Sequence, residues 1–224
     1  MDGSTALSET SQASQADQDA FLAYARSVMT DERLEELAAR HASAGSETKY
    51  LAPDRWLKEK WKLADLLKLV GTPPQRVLDL GTGAGHFPFV CRYLGHECEA
   101  LDQPGIPLYD DLCELAGLDR VDHRIGPRQP LPAFERRFDL VTAFMVGFNT
   151  RPDGTLFDLE DWRFFLDDVR DRLLNPGGRL CLKMIKQVER EGPKYGDPEL
   201  MALFESRGAH FIPKNRYAIF DPLR

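Results

Sequence analysis

Hydrophobic residues follow two different periods along the chain, and the change of period marks out alternating strands and helices. A short apolar run at residues 77–80 and a longer one at 138–146 suit buried parallel strands, and residues 96–101 are predicted to form a second short strand. Between these runs, apolar side chains recur every three or four residues, as they do on a helix with one buried face. The pattern predicts an α/β fold in which helices cover both faces of a mostly parallel sheet.

The two ends of the chain carry different patterns. Residues 1–15 are rich in Ser, Thr, Gln and Ala and are predicted to be a disordered tail. Residues 16–70 are predicted to form a helical extension, in which Thr30 caps the second helix and Pro53 opens the third. The remaining residues, 71–224, are predicted to form one domain. Two short apolar runs near its end, 210–212 and 217–220, predict a hairpin.

Three glycines at alternate positions, Gly81, Gly83 and Gly85, follow directly after the first predicted strand in the segment V-L-D-L-G-T-G-A-G. Glycine has no side chain and can take positive φ, so such a turn lets a ligand approach backbone N–H groups at the start of the next helix. A plain tight turn between strand and helix is the alternative. Three alternate glycines, with acidic Asp79 inside the strand, favour a ligand site.

A second acidic residue, Asp102, ends the second predicted strand. It lies about 20 residues beyond Gly81, where the first βαβ unit of a nucleotide-binding fold places a carboxylate beside a ribose. One carboxylate can accept hydrogen bonds from both ribose hydroxyls. A solvated acid at a strand end is the alternative.

These segments resemble the class I S-adenosylmethionine-dependent methyltransferases. V-L-D-L-G-T-G-A-G is similar to the first motif of that family, F-D-L-V-T-A-F-M-V to its fourth strand, and L-L-N-P-G-G-R-L-C-L-K to a helix end and the fifth strand. The resemblance covers residues 76–220. It implies a Rossmann-like, seven-stranded sheet ending in an antiparallel hairpin, with S-adenosyl-L-methionine as cofactor. N-terminal helices often lie over the site in this family, so residues 16–70 are candidates for a lid, with His41, Lys49, Tyr50 and Trp56 as its candidate residues; helices packed on the sheet edge are the alternative.

The resemblance also implies the residues of the site. The family commonly has an acid soon after the third strand that helps to hold the adenine, but here Gly126, Pro127 and Arg128 follow, so Gly126 is predicted only as backbone lining. The acceptor is placed beside Met145, Phe148 and Asn149. The residues predicted to bind the cofactor are Asp79, Gly81, Thr82, Gly83, Gly85, Asp102, Gln103, Gly126 and Phe144.

The implied reaction is methyl transfer to an O, N or C atom of a small-molecule acceptor by direct displacement (EC 2.1.1.-). The donor sulfonium is already activated, so the protein mainly has to align the reacting atoms. An oxygen or nitrogen acceptor can need a general base, and His86, Asp158 and Glu160 are candidates by location. Each also has a structural interpretation, as a residue or charge at the start of a helix.

Two other functions are considered. An NAD-dependent oxidoreductase uses the same strand, turn and acid, but its third glycine comes three residues after the second, where this chain has His86. A catalytically inactive methyltransferase-like protein, which binds the cofactor or a partner, fits the glycines and Asp102 equally well. An exocyclic amine of DNA is disfavoured as acceptor, because residues 145–149 lack the Asn/Asp-Pro-Pro-aromatic motif of those enzymes.

Composition excludes several further classes. The net charge of −7 provides no general attraction for nucleic acid, and no apolar run approaches the roughly 20 residues of a membrane span. The cysteines, at positions 91, 98, 113 and 181, have neither C-x-x-C spacing nor a paired His, so neither a zinc site nor a disulfide framework is expected. The chain start lacks the pattern of a signal peptide, and a cytoplasmic protein with reduced cysteines is expected.

Overall fold

The computed structural model describes residues 4–187 and 189–224, with side chains from residue 15 onward. The chain divides into two compact units. The helical unit contains the described residues up to Thr72, together with Gly83–Gly95 and Ile106–Asp119. The sheet unit contains Pro73–Thr82, His96–Gly105 and Arg120–Arg224. The boundary between the units therefore runs through the glycine turn, after Thr82.

The helical unit is built from helices whose bounds are α1 (Ser4–Val28), α2 (Asp31–Arg40), α3 (Pro53–Leu66), α4 (His86–Tyr93) and α5 (Pro107–Leu115). A 3-10 segment, Gly45–Leu51, lies between α2 and α3. The predicted helix starts are confirmed: Thr30 caps α2 by accepting a hydrogen bond from the backbone N–H of Arg33, and Pro53 opens α3. In the core of the unit, the buried ring of Phe21 stacks on that of Trp61 at 5.3 Å between centroids.

Helix α1 begins earlier than the sequence predicts. Residues 1–15 were expected to be disordered, but α1 already begins at Ser4, and only residues 1–3 of that segment lie outside the described residues. The stretch from Ser4 to Val28 contains neither Pro nor Gly and includes the good helix formers Ala, Gln and Glu. A polar composition therefore did not exclude a helix here.

Seven strands form the sheet of the sheet unit: β1 (Arg76–Leu80), β2 (Glu97–Asp102), β3 (Arg120–Asp122), β4 (Phe138–Val146), β5 (Leu174–Met184), β6 (Ala209–Ile212) and β7 (Tyr217–Phe220). Their order is β3-β2-β1-β4-β5-β7-β6. Strands β1 to β5 pair in parallel, whereas β7 is antiparallel to both β5 and β6. The predicted seven-stranded, mostly parallel sheet with a C-terminal antiparallel hairpin is confirmed.

The centre of the sheet positions the site. From β1 the chain continues outward to β2 and β3, and it then returns to form β4 on the opposite side of β1. Because the strand order reverses between β1 and β4, their carboxyl ends flank the topological switch point, where open α/β sheets bind ligands. Both strands are almost entirely buried, and Leu78, Val141 and Leu180 belong to the core of the unit.

The sequence predicts a modest third strand over residues 121–125, but β3 already ends at Asp122. It is an edge strand that pairs only with β2, and the last register pair joins Asp102 to Asp122. The backbone N–H of His123 still donates to the carbonyl of Asp102 at 2.8 Å. Strand β2 ends at Asp102 and provides no further backbone groups for pairing, so residues 124 and 125 leave the sheet.

The sheet unit also contains two helices, α6 (Leu159–Asp168) and α7 (Pro198–Ser206). Helix α6 opens with a capping box, in which Asp158 and Asp161 each accept a hydrogen bond from the other's backbone N–H. The apolar stripe that begins at Leu159 predicts one helix that extends to Leu173 and ends before Pro176, but residues Val169–Leu173 form a π-helical turn that leads directly into β5. The Pro-Gly-Gly segment predicted to end that helix therefore lies within a strand.

No helix in the described part of the chain combines the length and the apolar character that crossing a bilayer requires. The four cysteines are buried thiols. Among the residues that the structure describes, no three His, Cys, Asp or Glu side chains cluster so that they could hold a metal ion.

Candidate functional site

A cavity of about 610 Å³ opens within the sheet unit at the carboxyl ends of β1, β2, β3 and β4. All four ends lie on one edge because the strands are parallel, and loops after strands lie at the surface, where ligands can reach them. The lining residues are Leu80, Gly81, Leu101, Asp102, Gln103, His123, Arg124, Ile125, Gly126, Pro127, Gln129, Phe144, Met145, Val146, Gly147, Phe148, Thr150, Arg151 and Pro152.

The glycine turn begins at Gly81, which lines the cavity. Its backbone has φ +70°, and a Cβ added there would have no heavy atom within 4 Å. The backbone N–H groups of Gly81 and Thr82 donate to the carbonyl of Leu101 at 2.7 and 3.1 Å. The turn is thus tied to the end of β2 by its own amides, and Gly81 leaves open space in front of the backbone.

Asp79 and Thr82 support this turn without lining the cavity. The buried carboxylate of Asp79 accepts hydrogen bonds from the hydroxyl of Thr82 at 2.9 Å and from that of Thr142 at 2.6 Å. These contacts join the turn and β4 to the end of β1. The predicted contact of these two residues with the cofactor stays a prediction.

The predicted ribose acid, Asp102, lines the cavity together with Gln103. The backbone N–H of Gln103 donates to Asp102 Oδ1 at 2.7 Å, which holds the carboxylate against the end of β2. Its register partner Asp122 does not line the cavity and faces solvent, with 61% of its side chain exposed. The two acids therefore occupy equivalent strand ends but different environments.

Sequence reasoning missed His123 and Arg124, which line the cavity beyond β3 together with the predicted Gly126. The Nε2 atom of His123 is buried and has no hydrogen-bond partner among the described residues. The Arg124 side chain likewise makes no hydrogen bond or ion pair with any residue that the structure describes. The predicted third strand extended to residue 125, so both residues were assigned to the strand. A strand that ends at Asp122 would have placed them in the loop at the ligand-binding edge of the sheet.

The end of β4 forms the apolar part of the lining. The predicted residues Phe144, Met145 and Phe148 all lie here. The ring of Phe148 packs against that of Phe165 at 5.2 Å and that of Phe157 at 6.3 Å between centroids, so its position is fixed from behind by buried aromatic side chains.

Asn149, the third predicted acceptor residue, does not line the cavity. It is fully buried and forms a reciprocal amide pair with Gln187, through its Nδ2 at 3.1 Å and its Oδ1 at 2.9 Å. Such a pair satisfies a donor and an acceptor on each side chain and joins the segments after β4 and β5. Contact between Asn149 and an acceptor stays a prediction.

The remaining glycines of the turn belong to the helical unit. Gly83 has φ +57°, and an added Cβ would meet only the ring of Tyr109, at 3.8 Å. Gly85 has φ +75° and precedes α4, where an added Cβ would come within 2.7 Å of a Leu118 methyl and 3.1 Å of the Cys113 sulfur. Gly85 thus suits the close packing at this point as well as its left-handed backbone angle. The predicted contact of Gly83 and Gly85 with the cofactor stays a prediction.

His86, a candidate base, is buried in the helical unit. Desolvation, with a smaller contribution from the charge of Lys60, lowers its pKa from 6.5 to about 3, and its Nε2 atom has no hydrogen-bond partner among the described residues. An imidazole of such low pKa is a poor acceptor of protons at neutral pH. The catalytic role of His86 stays a prediction that this environment does not favour.

The other candidate bases, Asp158 and Glu160, do not line the cavity. Burial raises the pKa of Asp158, but the backbone N–H of Asp161 and the guanidinium of Arg151 outweigh it, so that the pKa is lowered overall. Glu160 is exposed and pairs with Arg163. Their roles as bases stay predictions.

Arg151 does line the cavity, yet its charge is already matched. It donates to Asp161 at 2.7 Å and pairs with Asp158, and Arg128 pairs with the same two carboxylates at 3.0 and 3.5 Å. Two guanidinium groups thus face two carboxylates. The sequence placed Asp158 at a helix start but did not indicate this four-membered cluster.

The lid candidates of residues 16–70 lie in the helical unit. The ring of Tyr50 lies 4.9 Å from that of Trp56, and the Lys49 ammonium group lies 5.0 Å from the Tyr50 ring centroid. His41 Nε2 lies 2.7 Å from a carboxylate oxygen of Asp111. Each candidate thus has partners within this unit, and the lid stays a prediction.

Comparison with known proteins gives likenesses in both sequence and fold. No family model matches the sequence. A demethylmenaquinone methyltransferase of Deinococcus radiodurans is 31% identical over 125 residues, which cover 54% of this chain and 48% of that protein. A malonyl-[acyl-carrier protein] O-methyltransferase of Methylococcus capsulatus is 31% identical over 120 residues, which cover 51% of this chain and 39% of that protein.

Among solved structures, a SAM-dependent methyltransferase from Aquifex aeolicus has a similar fold, with a TM-score of 0.50 and 19% identity over 79% of this chain and 98% of that one. The alignments span about half or less of the length of the two curated relatives. The strand order and the solved structure show that the chain has the fold of class I S-adenosylmethionine-dependent methyltransferases, and about half of its sequence is similar to two curated methyltransferases.

Proposed function

We infer that the protein binds S-adenosylmethionine in the cavity of the sheet unit and transfers its methyl group to an O, N or C atom of a small molecule. The observation that carries this inference is that Gly81 and Asp102, at the ends of adjacent strands, line one cavity with the apolar end of β4. Its volume of about 610 Å³ lies within the usual range of ligand pockets, about 300–1,000 Å³.

The lining residues fit such a cofactor. Gly81 leaves open space that a side chain would fill, so a ligand can approach its backbone. The carboxylate of Asp102, held in place by the N–H of Gln103, offers acceptor oxygens for the two ribose hydroxyls. His123 Nε2 and the side chain of Arg124 supply further polar groups on the β3 side of the cavity.

The chemistry requires little from the protein beyond positioning. When bound, the cofactor supplies a methyl group that is activated by a positively charged sulfur. Phe144, Met145 and Phe148 would confine the acceptor at the end of β4 and exclude water from it. Alignment of this kind can provide several kcal/mol, up to about 7–11 kcal/mol in favourable cases.

A second candidate function is cofactor binding without turnover. It is favoured by one observation: His86, Asp158 and Glu160, the candidate bases, are all absent from the lining of the cavity. An acceptor atom that is itself nucleophilic needs no base, so this observation is compatible with both functions. The names of the two curated relatives specify different substrates, demethylmenaquinone and malonyl-[acyl-carrier protein], and they leave the acceptor open.

Isothermal titration with S-adenosylmethionine, S-adenosylhomocysteine and NAD in parallel tests the cofactor. We expect micromolar binding of the first two and none of NAD. Binding of NAD alone, or of none of the three, would contradict the proposed function. Formation of S-adenosylhomocysteine in an acceptor screen then separates the transferase from a binding module.

A further inference from the structure

Met145 combines features that packing alone does not explain. Its φ is +60°, in the left-handed region that non-glycine residues rarely adopt, and 54% of the residue is exposed although it is large and apolar. The register of β4 against β5 pairs Phe144 with Lys183 and Val146 with Met184, so Met145 is the extra residue of a β-bulge. Bulges redirect side chains, and they are common beside active sites.

The lining of the cavity differs between its two sides. On the β2 and β3 side it contains the polar or charged side chains of Asp102, Gln103, His123 and Arg124, together with the apolar Leu101 and Ile125. At the end of β4 it contains Phe144, Met145, Val146 and Phe148, followed by Pro152. Thr150 and Arg151 are the polar side chains of this second part: the Thr150 hydroxyl donates to the carbonyl of Gly147 at 3.2 Å, and two carboxylates balance the charges of Arg151 and Arg128. The β4 side therefore suits an apolar ligand group.

The geometry points to Met145 as the residue that selects the acceptor, and we propose that the acceptor is a flat aromatic molecule carrying the reacting atom. This proposal rests on the proposed function, because it assigns the β4 side of the cavity to the acceptor. The bulge places a flexible, polarisable thioether at the cavity, and sulfur makes favourable contacts with aromatic rings. The ring of Phe148, held by Phe157 and Phe165, offers a second surface for such a molecule.

The substitution Met145→Gly separates this role from a structural one. Glycine takes positive φ without strain, and the side chain removed is more than half exposed, so we expect a melting temperature that is unchanged or raised by about 2–4 °C. A side chain needed for packing would lower it instead. Binding of 2-naphthol, a flat aromatic probe, should weaken about tenfold or more, whereas Met145→Leu should retain it within about threefold.

The control variant is Lys68→Gly, since Lys68 has φ +56° but lies in the helical unit and does not line the cavity. It should shift the melting temperature in the same direction as Met145→Gly and leave 2-naphthol binding unchanged. Titration of 2-naphthol is carried out with and without S-adenosylmethionine, with the polar amine glucosamine as comparison probe.

The outcomes distinguish the two proposals. If S-adenosylmethionine does not bind but the effect of Met145→Gly on 2-naphthol binding remains, the proposed function fails and the aromatic site stands. The other case is that S-adenosylmethionine binds equally to the wild type and the variants. The present inference is then wrong if 2-naphthol does not bind the wild type, if it binds no more tightly than glucosamine, or if Met145→Gly leaves its affinity unchanged.

Discussion

The hydroxyl of Thr142 donates a hydrogen bond of 2.6 Å to the buried carboxylate of Asp79 and so joins β4 to β1 at the switch point of the sheet. The same carboxylate accepts a hydrogen bond from Thr82 in the glycine turn. A buried carboxylate must keep its donors, because an unmet acceptor of this kind is costly. The two hydrogen bonds to Asp79 therefore hold the glycine turn and β4 in fixed positions beside the cavity.

Thr142→Val removes this donor while keeping the shape of the side chain. We expect the free energy of unfolding to fall by about 1–3 kcal/mol, because the carboxylate of Asp79 stays buried with one donor fewer. Urea denaturation monitored by circular dichroism measures the change. Thr142→Ser keeps the hydroxyl and should cost clearly less; a Thr142→Val variant as stable as the wild type would show that the carboxylate of Asp79 does not need this donor.

Asp102→Ala should weaken binding of S-adenosylmethionine about ten- to hundredfold, because charge-assisted hydrogen bonds to the ribose contribute roughly 1.5–3 kcal/mol. Isothermal titration measures the affinity. Asp122→Ala provides the matched control, since Asp122 is the register partner of Asp102 but lies outside the cavity. Unchanged affinity in a folded Asp102→Ala variant would show that Asp102 does not bind the ribose of the cofactor.

Gly81→Ala tests whether the open space at the turn is used by a ligand. Gly81 and Gly71 have φ of +70° and +68°, and a Cβ at either position meets nothing within 4 Å. Both alanine variants should therefore lose about 1–2 kcal/mol of stability from backbone strain. Only Gly81 lines the cavity, so only Gly81→Ala should also weaken S-adenosylmethionine binding, by about tenfold or more. Equal affinities in the two variants would show that the ligand does not approach Gly81.

His86 should make the protein sensitive to acid. The pKa of its imidazole is about 3 in the folded chain and 6.5 ordinarily, so unfolding takes up a proton between these values. The free energy of unfolding therefore has its full value above about pH 6.5. As the pH falls below 6.5, it decreases by up to about 1.4 kcal/mol per pH unit.

The variant His86→Phe should lack this part of the pH dependence, as measured by urea denaturation at pH 7.5, 6 and 5. An NMR titration of the wild-type imidazole provides an independent measurement if the variant folds poorly. A midpoint near 6.5 would contradict the buried, neutral state of His86.

Asn149→Ala should destabilise the protein by about 1–3 kcal/mol, because Gln187 would lose both of its buried hydrogen bonds to the partner amide. Asn149→Ala combined with Gln187→Ala should cost less than the sum of the two single variants, as in a double-mutant cycle. Additive losses would mean that the pair is not coupled, and the role of Asn149 would then have to lie elsewhere.

Local patterns predicted the centre of the sheet well. The bounds of β4, the start of α3 at Pro53 and the C-terminal hairpin each follow from residues that are close in sequence. Gly81 and Asp102 could be placed in the site because both follow directly from strands whose apolar runs are clear.

Features that depend on distant partners could not be predicted. His123 and Arg124 line the cavity because edge strand β3 loses its partner where β2 ends. Asn149 is buried by its pairing with Gln187, which is far away in sequence. The bulge at Met145 arises from the register between β4 and β5, and the residues next to Met145 in the sequence do not predict it.

The insertion of β7 between β5 and β6 has a consequence for biosynthesis. When residues up to Met184 have left the ribosome, the parallel strands can pair, but β5 still presents an open edge. That edge stays exposed until Tyr217–Phe220 emerge, because β6 joins the sheet only through β7. Nascent chains that pause in this interval would offer an unpaired apolar strand to chaperones or to one another.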